Sequence, residues 1–200
     1  MKLFINKILH LFQLMRVRTN EKIIYLTFDD GPEEDITNWV LEILNKYNAK
    51  ATFFCTGANA NKYSQTLQSI VANGHQLGNH TYSHINSFIT PTDAYVSDTE
   101  KADNILHTHL FRPPWGSITL SAFLRLRKKY KIVYWSLVSG DTIMKGLELE
   151  SNMQRLYKKT KPGDIVLFHS CKRHENETKK ILPLYLEWLK SNGYCCEILK

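Results

Sequence analysis

Ionisable side chains that can bind a metal or transfer a proton stand at the ends of five predicted strands. In chain order these are Asp29 and Asp30, His80 and His84, Arg112, Asp141, and His169. In parallel βα folds, active-site residues gather at the carboxyl ends of the strands. Any one of these residues could have a structural role, because Asp-Gly forms turns and arginine covers surfaces. Five strand ends that deliver such groups to one rim indicate an active site.

His80 and His84 are four residues apart, a spacing that lets two imidazoles face one cation from a helical turn. A carboxylate from Asp29 or Asp30 would complete a facial triad that leaves positions open for water and substrate. Neighbouring side chains on an extended segment point in opposite directions, so one aspartate can ligate while the other acts as a general base. Arg112 can keep that base ionised.

Strand-like and helix-like segments alternate from residue 23 onward. Apolar and β-branched runs predict strands at 23–28, 51–55, 75–81, 110–112, 132–138, 164–169 and 195–199. Helical spacing of apolar residues predicts helices at about 36–47, 63–71, 92–107, 120 onward, 148–159 and 176–190. This alternation predicts parallel βα units, which either close into a barrel or form an open, doubly wound sheet.

The first residues of the chain predict an amphipathic helix, because Phe4, Ile8, Phe12 and Met15 recur at helical spacing. We therefore divide the chain into a helical segment, 1–20, and one α/β domain, 21–200. The helix could pack on the domain or, through its basic residues in 1–18, contact an anionic membrane surface. Polar residues interrupt every apolar run before residue 16, so no secretory signal is predicted, and a cytoplasmic or membrane-peripheral location is favoured over secretion.

Composition excludes several classes of protein. The chain has 200 residues, 26 Lys and Arg against 19 Asp and Glu, a net charge of +7, and 43% hydrophobic residues, which exclude a disordered or collagen-like chain. No apolar stretch approaches the roughly 20 residues that span a bilayer. Four cysteines without Cys-x-x-Cys spacing form neither a disulfide scaffold nor a thiolate zinc site. The basic residues match no nucleic-acid module, so nucleic acid is not predicted as a partner. Nothing in the sequence selects an oligomeric state.

Four short segments resemble motifs of the polysaccharide deacetylases, carbohydrate esterase family 4, in the family's order. The sequence TFDDGP at 27–32 is similar to the first motif and HTYSH at 80–84 to the second. RPPWG at 112–116 resembles the third motif, and LFH at 167–169 the fifth. The resemblance spans about residues 23–199. It implies a distorted (β/α)7 barrel and metal-dependent removal of N-acetyl groups from an amino-sugar polysaccharide or oligosaccharide.

Carried over by position, the resemblance implies that Asp30, His80 and His84 bind a divalent cation. Zn²⁺ is the first candidate, and Co²⁺, Ni²⁺, Fe²⁺ and Mn²⁺ also suit such a site. An N-acetylated glycan is the implied substrate. Chitin oligomers, peptidoglycan, a capsular sugar and a lipid-linked intermediate all remain open.

The resemblance also implies the catalytic roles. Asp29 would be the base and His169 the acid, while Arg112 would orient Asp29 and Asp141 would tune His169.

The pocket residues follow from the same motifs. The backbone N–H of Trp115 would help to hold the oxyanion, and Pro113 and Leu167 would line the substrate pocket. The fourth motif departs from the family, because Val138 replaces an aspartate and Thr142 replaces an aromatic residue, which bears on substrate preference. An O-acetyl esterase and a catalytically inactive carbohydrate-binding relative are the alternative functions.

Overall fold

The computed structural model describes residues 14–142 and 148–200. Within these residues there are eight strands: β1 Ile23–Asp29, β2 Ala51–Cys55, β3 Gln76–Asn79, β4 Leu110–Phe111, β5 Lys131–Ile132, β6 Leu137–Val138, β7 Ile165–His169 and β8 Cys195–Cys196. The same residues form seven α-helices: α1 Glu34–Lys46, α2 Gly57–Lys62, α3 Ser64–Ala72, α4 Thr92–Leu106, α5 Leu120–Leu126, α6 Leu149–Lys159 and α7 Glu175–Ser191. The predicted alternation of strands and helices is confirmed.

Local sequence explains where several helices begin. Thr56 precedes α2 and its side chain accepts the Asn59 N–H, while Thr119 caps α5 in the same way through the Ala122 N–H. Each cap satisfies a backbone donor that the first helical turn leaves without a partner. Two short 3₁₀ turns, Pro114–Gly116 and Lys172–His174, follow β4 and β7 and so lie at the carboxyl ends of strands.

The strands pair in parallel in the order β5-β4-β3-β2-β1-β7-β6, and β8 pairs with the start of β1. The register places Asp29 opposite Phe54 of β2 and opposite His169 of β7. The helices cover the outside of this curved sheet, which is the distorted (β/α)7 barrel that the sequence motifs imply.

The predicted strand at 132–138 is wrong as a single strand. Its first part, β5, pairs with β4, and its last part, β6, pairs with β7, so segment 131–138 spans the seam of the barrel. Between the two parts, the backbone groups bond elsewhere. The Tyr134 N–H donates to the Leu14 carbonyl, and the carbonyls of Val133 and Tyr134 accept from the Arg112 side chain. The predicted strands at 75–81 and 195–199 are also shorter in the structure.

Successive side chains of β1 face alternately the hydrophobic core under the helices and the interior of the barrel. Phe28 faces the helices and stacks between Phe53 at 5.0 Å and Phe168 at 5.5 Å, measured between ring centroids. Burying each ring contributes about 2–3 kcal/mol. Thr27 and Asp29 point to the opposite face, because successive side chains of a strand alternate. Packing of Phe28 in the core therefore holds β1 in place, and the polar side chains of the strand face the interior of the barrel.

The predicted amphipathic helix at the start of the chain falls mostly on residues 1–13, which lie outside the described residues. The prediction does not hold for 14–20, where Leu14 and Arg16 form isolated β-bridges with Val133 and Asp164. Membrane contact through 1–18 stays a prediction. No helix in the described part of the chain has the length and apolarity that a membrane span requires.

Gly163 and Gly193 provide a matched test of packing at the bottom of the barrel. Both have left-handed backbone, with φ of 79° and 73°. A Cβ at Gly163 would lie 1.9 Å from the Val17 carbonyl oxygen, whereas a Cβ at Gly193 meets nothing within 4 Å. We expect Gly193→Ala to cost about 1–2 kcal/mol for its backbone conformation. Gly163→Ala should cost about 1–3 kcal/mol more, because residues 17 and 163 must move apart.

Urea denaturation of the wild type and both variants gives the two free energies of unfolding. Equal losses in both variants would contradict the close packing of residues 14–17 against the turn that precedes β7.

Candidate active site

The Arg112 side chain is fully buried inside the barrel and ion-paired with Asp29. Its Nη1 donates to Asp29 Oδ1 at 2.6 Å and to Thr27 Oγ1 at 2.8 Å. Nη2 donates to the Tyr134 carbonyl at 2.8 Å. Burial lowers the pKa of Arg112, and the Asp29 carboxylate opposes that shift. The geometry leaves Asp29 Oδ2 free of the arginine and directed toward His80.

Asp30, His80 and His84 come together at the mouth of the barrel as the sequence predicts. One ligand atom from each lies within 4.8 Å of those of the other two. His84 Nε2 is 3.1 Å and His80 Nε2 is 3.5 Å from Asp30 Oδ1. Asp30 and His84 lie in the segments that follow β1 and β3 and have left-handed backbone, with φ of 73° and 53°. The distances suit three ligands around one cation with bonds of about 2.0–2.2 Å.

Hydrogen bonding prepares these groups for a cation. The Nδ1–H of His80 donates to the Arg112 carbonyl at 2.7 Å, which leaves Nε2 with a free lone pair. Burial by itself would raise the pKa of Asp30, but hydrogen bonds and charge interactions with the histidines lower it well below the usual carboxyl range. A carboxylate and two imidazole nitrogens form the donor set that Zn²⁺ and neighbouring first-row cations accept.

His169 and Asp141 form a second pair on the other side of the cleft. His169 Nδ1 lies 3.2 Å from Asp141 Oδ2, and the His169 backbone N–H donates to the same oxygen at 2.7 Å. Burial lowers the pKa of His169, but the hydrogen bond and charge of Asp141, together with the charges of Asp29 and Asp30, raise it to about 9. The imidazole is therefore a cation at neutral pH and can donate a proton.

These groups surround one open cleft of about 280 Å³. Its lining comprises Asp29, Asp30, His80, His84, Trp115, Gly116, Trp135, Thr142, Leu167, His169, Arg173 and His174. Trp115 is 62% exposed and its ring lies 5.0 Å from that of His84. The cleft thus holds the metal-ligand candidates, an acidic group and a cationic imidazole at one rim, between apolar walls.

Of the predicted pocket residues, Trp115 and Leu167 line the cleft, but Pro113 does not. Pro113 is buried, and its carbonyl accepts the Gly116 N–H at 3.1 Å, so it forms the turn that presents Trp115. Thr142 stands in the cleft wall where the resemblance implies an aromatic residue. Val138 lies in β6, paired with Leu167, and is not part of the wall.

Four cleft residues were not predicted from the sequence: Gly116, Trp135, Arg173 and His174. The His174 ring lies 4.9 Å from the His169 ring. The signal that could have identified the last two is their position, because they follow His169 directly after β7.

Residues 16–135 match the family model for polysaccharide deacetylases. The chain belongs to the polysaccharide deacetylase family. The predicted resemblance to this family is therefore confirmed.

Curated relatives and solved structures agree with this membership. A peptidoglycan-N-acetylglucosamine deacetylase from Bacillus cereus is 34% identical over 184 residues, 89% of this chain and 86% of that protein. The crystal structure of a peptidoglycan N-acetylglucosamine deacetylase in complex with 4-naphthalen-1-yl-N-oxidanyl-benzamide matches with a TM-score of 0.86 and 30% identity. That match covers 94% of this chain and 90% of the solved chain, which confirms the barrel fold.

The family also includes proteins without catalysis. A carbohydrate esterase family 4 pseudoenzyme from Bacillus anthracis matches with a TM-score of 0.81 and 26% identity, over 94% of this chain and 67% of that chain. Membership of the polysaccharide deacetylases therefore does not by itself establish turnover, which depends on the residues of the site.

Replacing Asp141 tests the electrostatic pairing in this deacetylase fold. Asp141→Asn keeps an oxygen for the His169 N–H but removes the negative charge, so burial dominates and the pKa of His169 should fall from about 9 toward or below its ordinary value of about 6.5. NMR titration of the imidazole in chelator-treated protein measures this shift. An unchanged pKa would contradict the pairing.

The same pair makes stability depend on pH. Folding raises the pKa of His169, so this residue adds to the free energy of unfolding. Its contribution is complete below about pH 6.5 and is lost as pH rises through about 9. Asp141→Asn should remove that component from the pH dependence of the free energy of unfolding, whereas Asp93→Asn, at an exposed surface ion pair, should retain it.

Proposed function

We propose that the protein is a metal-dependent hydrolase that removes N-acetyl groups from an amino-sugar glycan. The observation that supports this most strongly is the grouping of Asp30, His80 and His84, with Asp29 beside them and His169 in register across the β1–β7 pair. The relatives that act on peptidoglycan make peptidoglycan amino sugars the first substrates to test.

Asp30, His80 and His84 would hold the divalent cation, with Zn²⁺ as the first candidate and Co²⁺, Ni²⁺, Fe²⁺ and Mn²⁺ as alternatives. When bound, such a cation polarises the acetyl carbonyl and lowers the pKa of water at the site. The role of His80 depends on its Nδ1–H bond to the Arg112 carbonyl, which holds the ring with Nε2 facing Asp30.

Asp29 acts as the base through Oδ2, which accepts the proton of the attacking water. Arg112 holds the other oxygen, Oδ1, at 2.6 Å, so the carboxylate is oriented while Oδ2 stays available. Arg112 is therefore a positioning residue for Asp29 and does not contact the substrate.

His169 acts as the acid that protonates the departing nitrogen. An amine is a poor leaving group without a proton, whereas an alcohol released from an O-acetyl ester has less need of one. A histidine whose pKa is raised to about 9 by Asp141 is therefore better matched to N-deacetylation than to O-deacetylation.

The rest of the cleft serves the acetyl group and the oxyanion. The backbone N–H of Trp115 would donate to the tetrahedral oxygen, an interaction worth roughly 3 kcal/mol in transition-state stabilisation. Leu167 and Trp135 supply apolar walls that suit the acetyl methyl group.

The function is tested by a deacetylation screen with chelation and metal add-back. The substrates are N-acetylglucosamine oligomers, peptidoglycan glycan strands and O-acetylated xylan. We expect acetate release from the N-acetylated substrates, its loss after chelation and its recovery with Zn²⁺ or another first-row cation. Preference for O-acetylated xylan would favour the esterase, and no turnover with any substrate and metal would favour the inactive carbohydrate-binding relative.

His80→Ala should remove metal binding and activity together, because it deletes one of three ligands. Activity should fall by more than the roughly 10- to 100-fold loss that an outer-shell partner gives. His109→Ala is the matched control. His109 is exposed and lies before β4, at the opposite end of that strand from Arg112. Calorimetric zinc titration and acetate release measure both effects.

His84→Ala serves as a second variant in case the buried His80 is needed for folding, because the His84 side chain is 29% exposed. Circular dichroism checks that each variant is folded. A folded His80→Ala or His84→Ala protein that keeps full activity without metal would refute the proposed function.

A further inference from the structure

One positive charge on the acid side of the cleft, that of Arg173, is not used by the proposed reaction. His169 is cationic at neutral pH, and Arg173 lines the same wall. Asp29, the nearest base, is already paired with Arg112, and Asp30 would be paired with the cation. His169 is itself paired with Asp141, so Arg173 is the cleft cation that has no carboxylate partner in the described part of the chain, and its charge favours an anionic substrate over a neutral one.

The backbone on both sides of Arg173 is held in place. The Ser170 N–H donates to the Asp29 carbonyl at 3.0 Å, and the Lys172 N–H donates to Glu33 Oε2 at 3.1 Å. The His174 N–H donates to the Cys171 carbonyl at 3.1 Å, and its ring packs on His169. Arg173 thus extends from a fixed turn into the cleft wall beside the acid.

The Arg173 guanidinium has no partner of its own among residues 14–142 and 148–200. The carboxylates on neighbouring elements are engaged elsewhere, since Glu33 accepts the Lys172 N–H and Glu175 pairs with Lys179 at 2.5 Å. Burial and the nearby charge of His169 lower the pKa of His174 beside it. The Arg173 side chain is exposed and lines the cleft, so its guanidinium donors are available to an anion on the substrate.

We infer that Arg173 is a specificity residue that binds a carboxylate on the amino sugar being deacetylated. This inference rests on the proposed function. The acid must reach the nitrogen on C2 of the sugar, so the sugar ring lies in the cleft that His169 and Arg173 both line. An anionic substituent on C3, next to the acetamido carbon, is within reach of a long guanidinium side chain. N-acetylmuramic acid, whose lactyl ether is on C3, has this chemistry.

The test compares two substrates that differ only in charge. The first is a peptide-free glycan strand of alternating N-acetylglucosamine and N-acetylmuramic acid, and the second is the same strand with each lactyl carboxylate converted to a carboxamide. The readout is the ratio of kcat/KM for the acid to that for the amide. Mass spectrometry identifies which sugar loses its acetyl group.

We expect the wild type to prefer the acid and to deacetylate the muramic acid unit. Arg173→Gln should reduce the acid-to-amide ratio about tenfold or more, mainly through KM, as expected for loss of a charged hydrogen bond. Lys172→Gln is the matched control, because Lys172 is an adjacent exposed cation outside the cleft, and should keep the wild-type ratio. Added salt should reduce the wild-type ratio and leave that of Arg173→Gln unchanged.

Each outcome decides one claim. A wild-type ratio near one, an equal ratio in Arg173→Gln and wild type, or deacetylation confined to N-acetylglucosamine would overturn the role of Arg173 while leaving the deacetylase intact. If neither glycan strand is turned over and N-acetylglucosamine oligomers are not turned over either, the proposed function is refuted.

Discussion

The buried charge of Arg112 is the constraint on which the rest of the site depends. A fully buried guanidinium must be paired and hydrogen-bonded, and removing one partner of such a pair typically costs about 3–5 kcal/mol. Arg112 meets this need with Asp29 and Thr27 of β1 and with the carbonyls of Val133 and Tyr134 at the barrel seam. One side chain therefore connects the end of β4 to β1 and to segment 131–138. The same contacts hold the seam of the barrel together and orient Asp29.

The backbone of Arg112 extends that constraint to the proposed metal ligands. Its N–H donates to the Asn79 carbonyl and its own carbonyl accepts the His80 Nδ1–H, so the end of β3 is tied to the end of β4. Asp29 and Asp30 then differ in role through their surroundings. The arginine pairs with Asp29 and the two histidines lie against Asp30, an arrangement that fits the proposed roles of Asp29 as base and Asp30 as metal ligand.

Much of this arrangement could be predicted from the sequence, because strand ends and motif spacing are local properties. Asp29 and His169 end strands, and parallel pairing brings such ends to one rim. The break in the strand at 132–138 could not be predicted, since it depends on Leu14 and Arg112, which are distant in sequence. Arg173 was not predicted, although its position shortly after His169 and β7 is a local signal that could have identified it.

The central claim is that one cation is held by Asp30, His80 and His84 while Asp29 remains free as the base. An anomalous difference map from zinc-loaded crystals, collected at the zinc absorption edge, tests it most directly. We expect one peak at about 2.0–2.2 Å from a carboxylate oxygen of Asp30 and from Nε2 of both histidines, with Asp29 still bonded to Arg112. A peak coordinated by Asp29, or no peak at saturating zinc, would contradict the account.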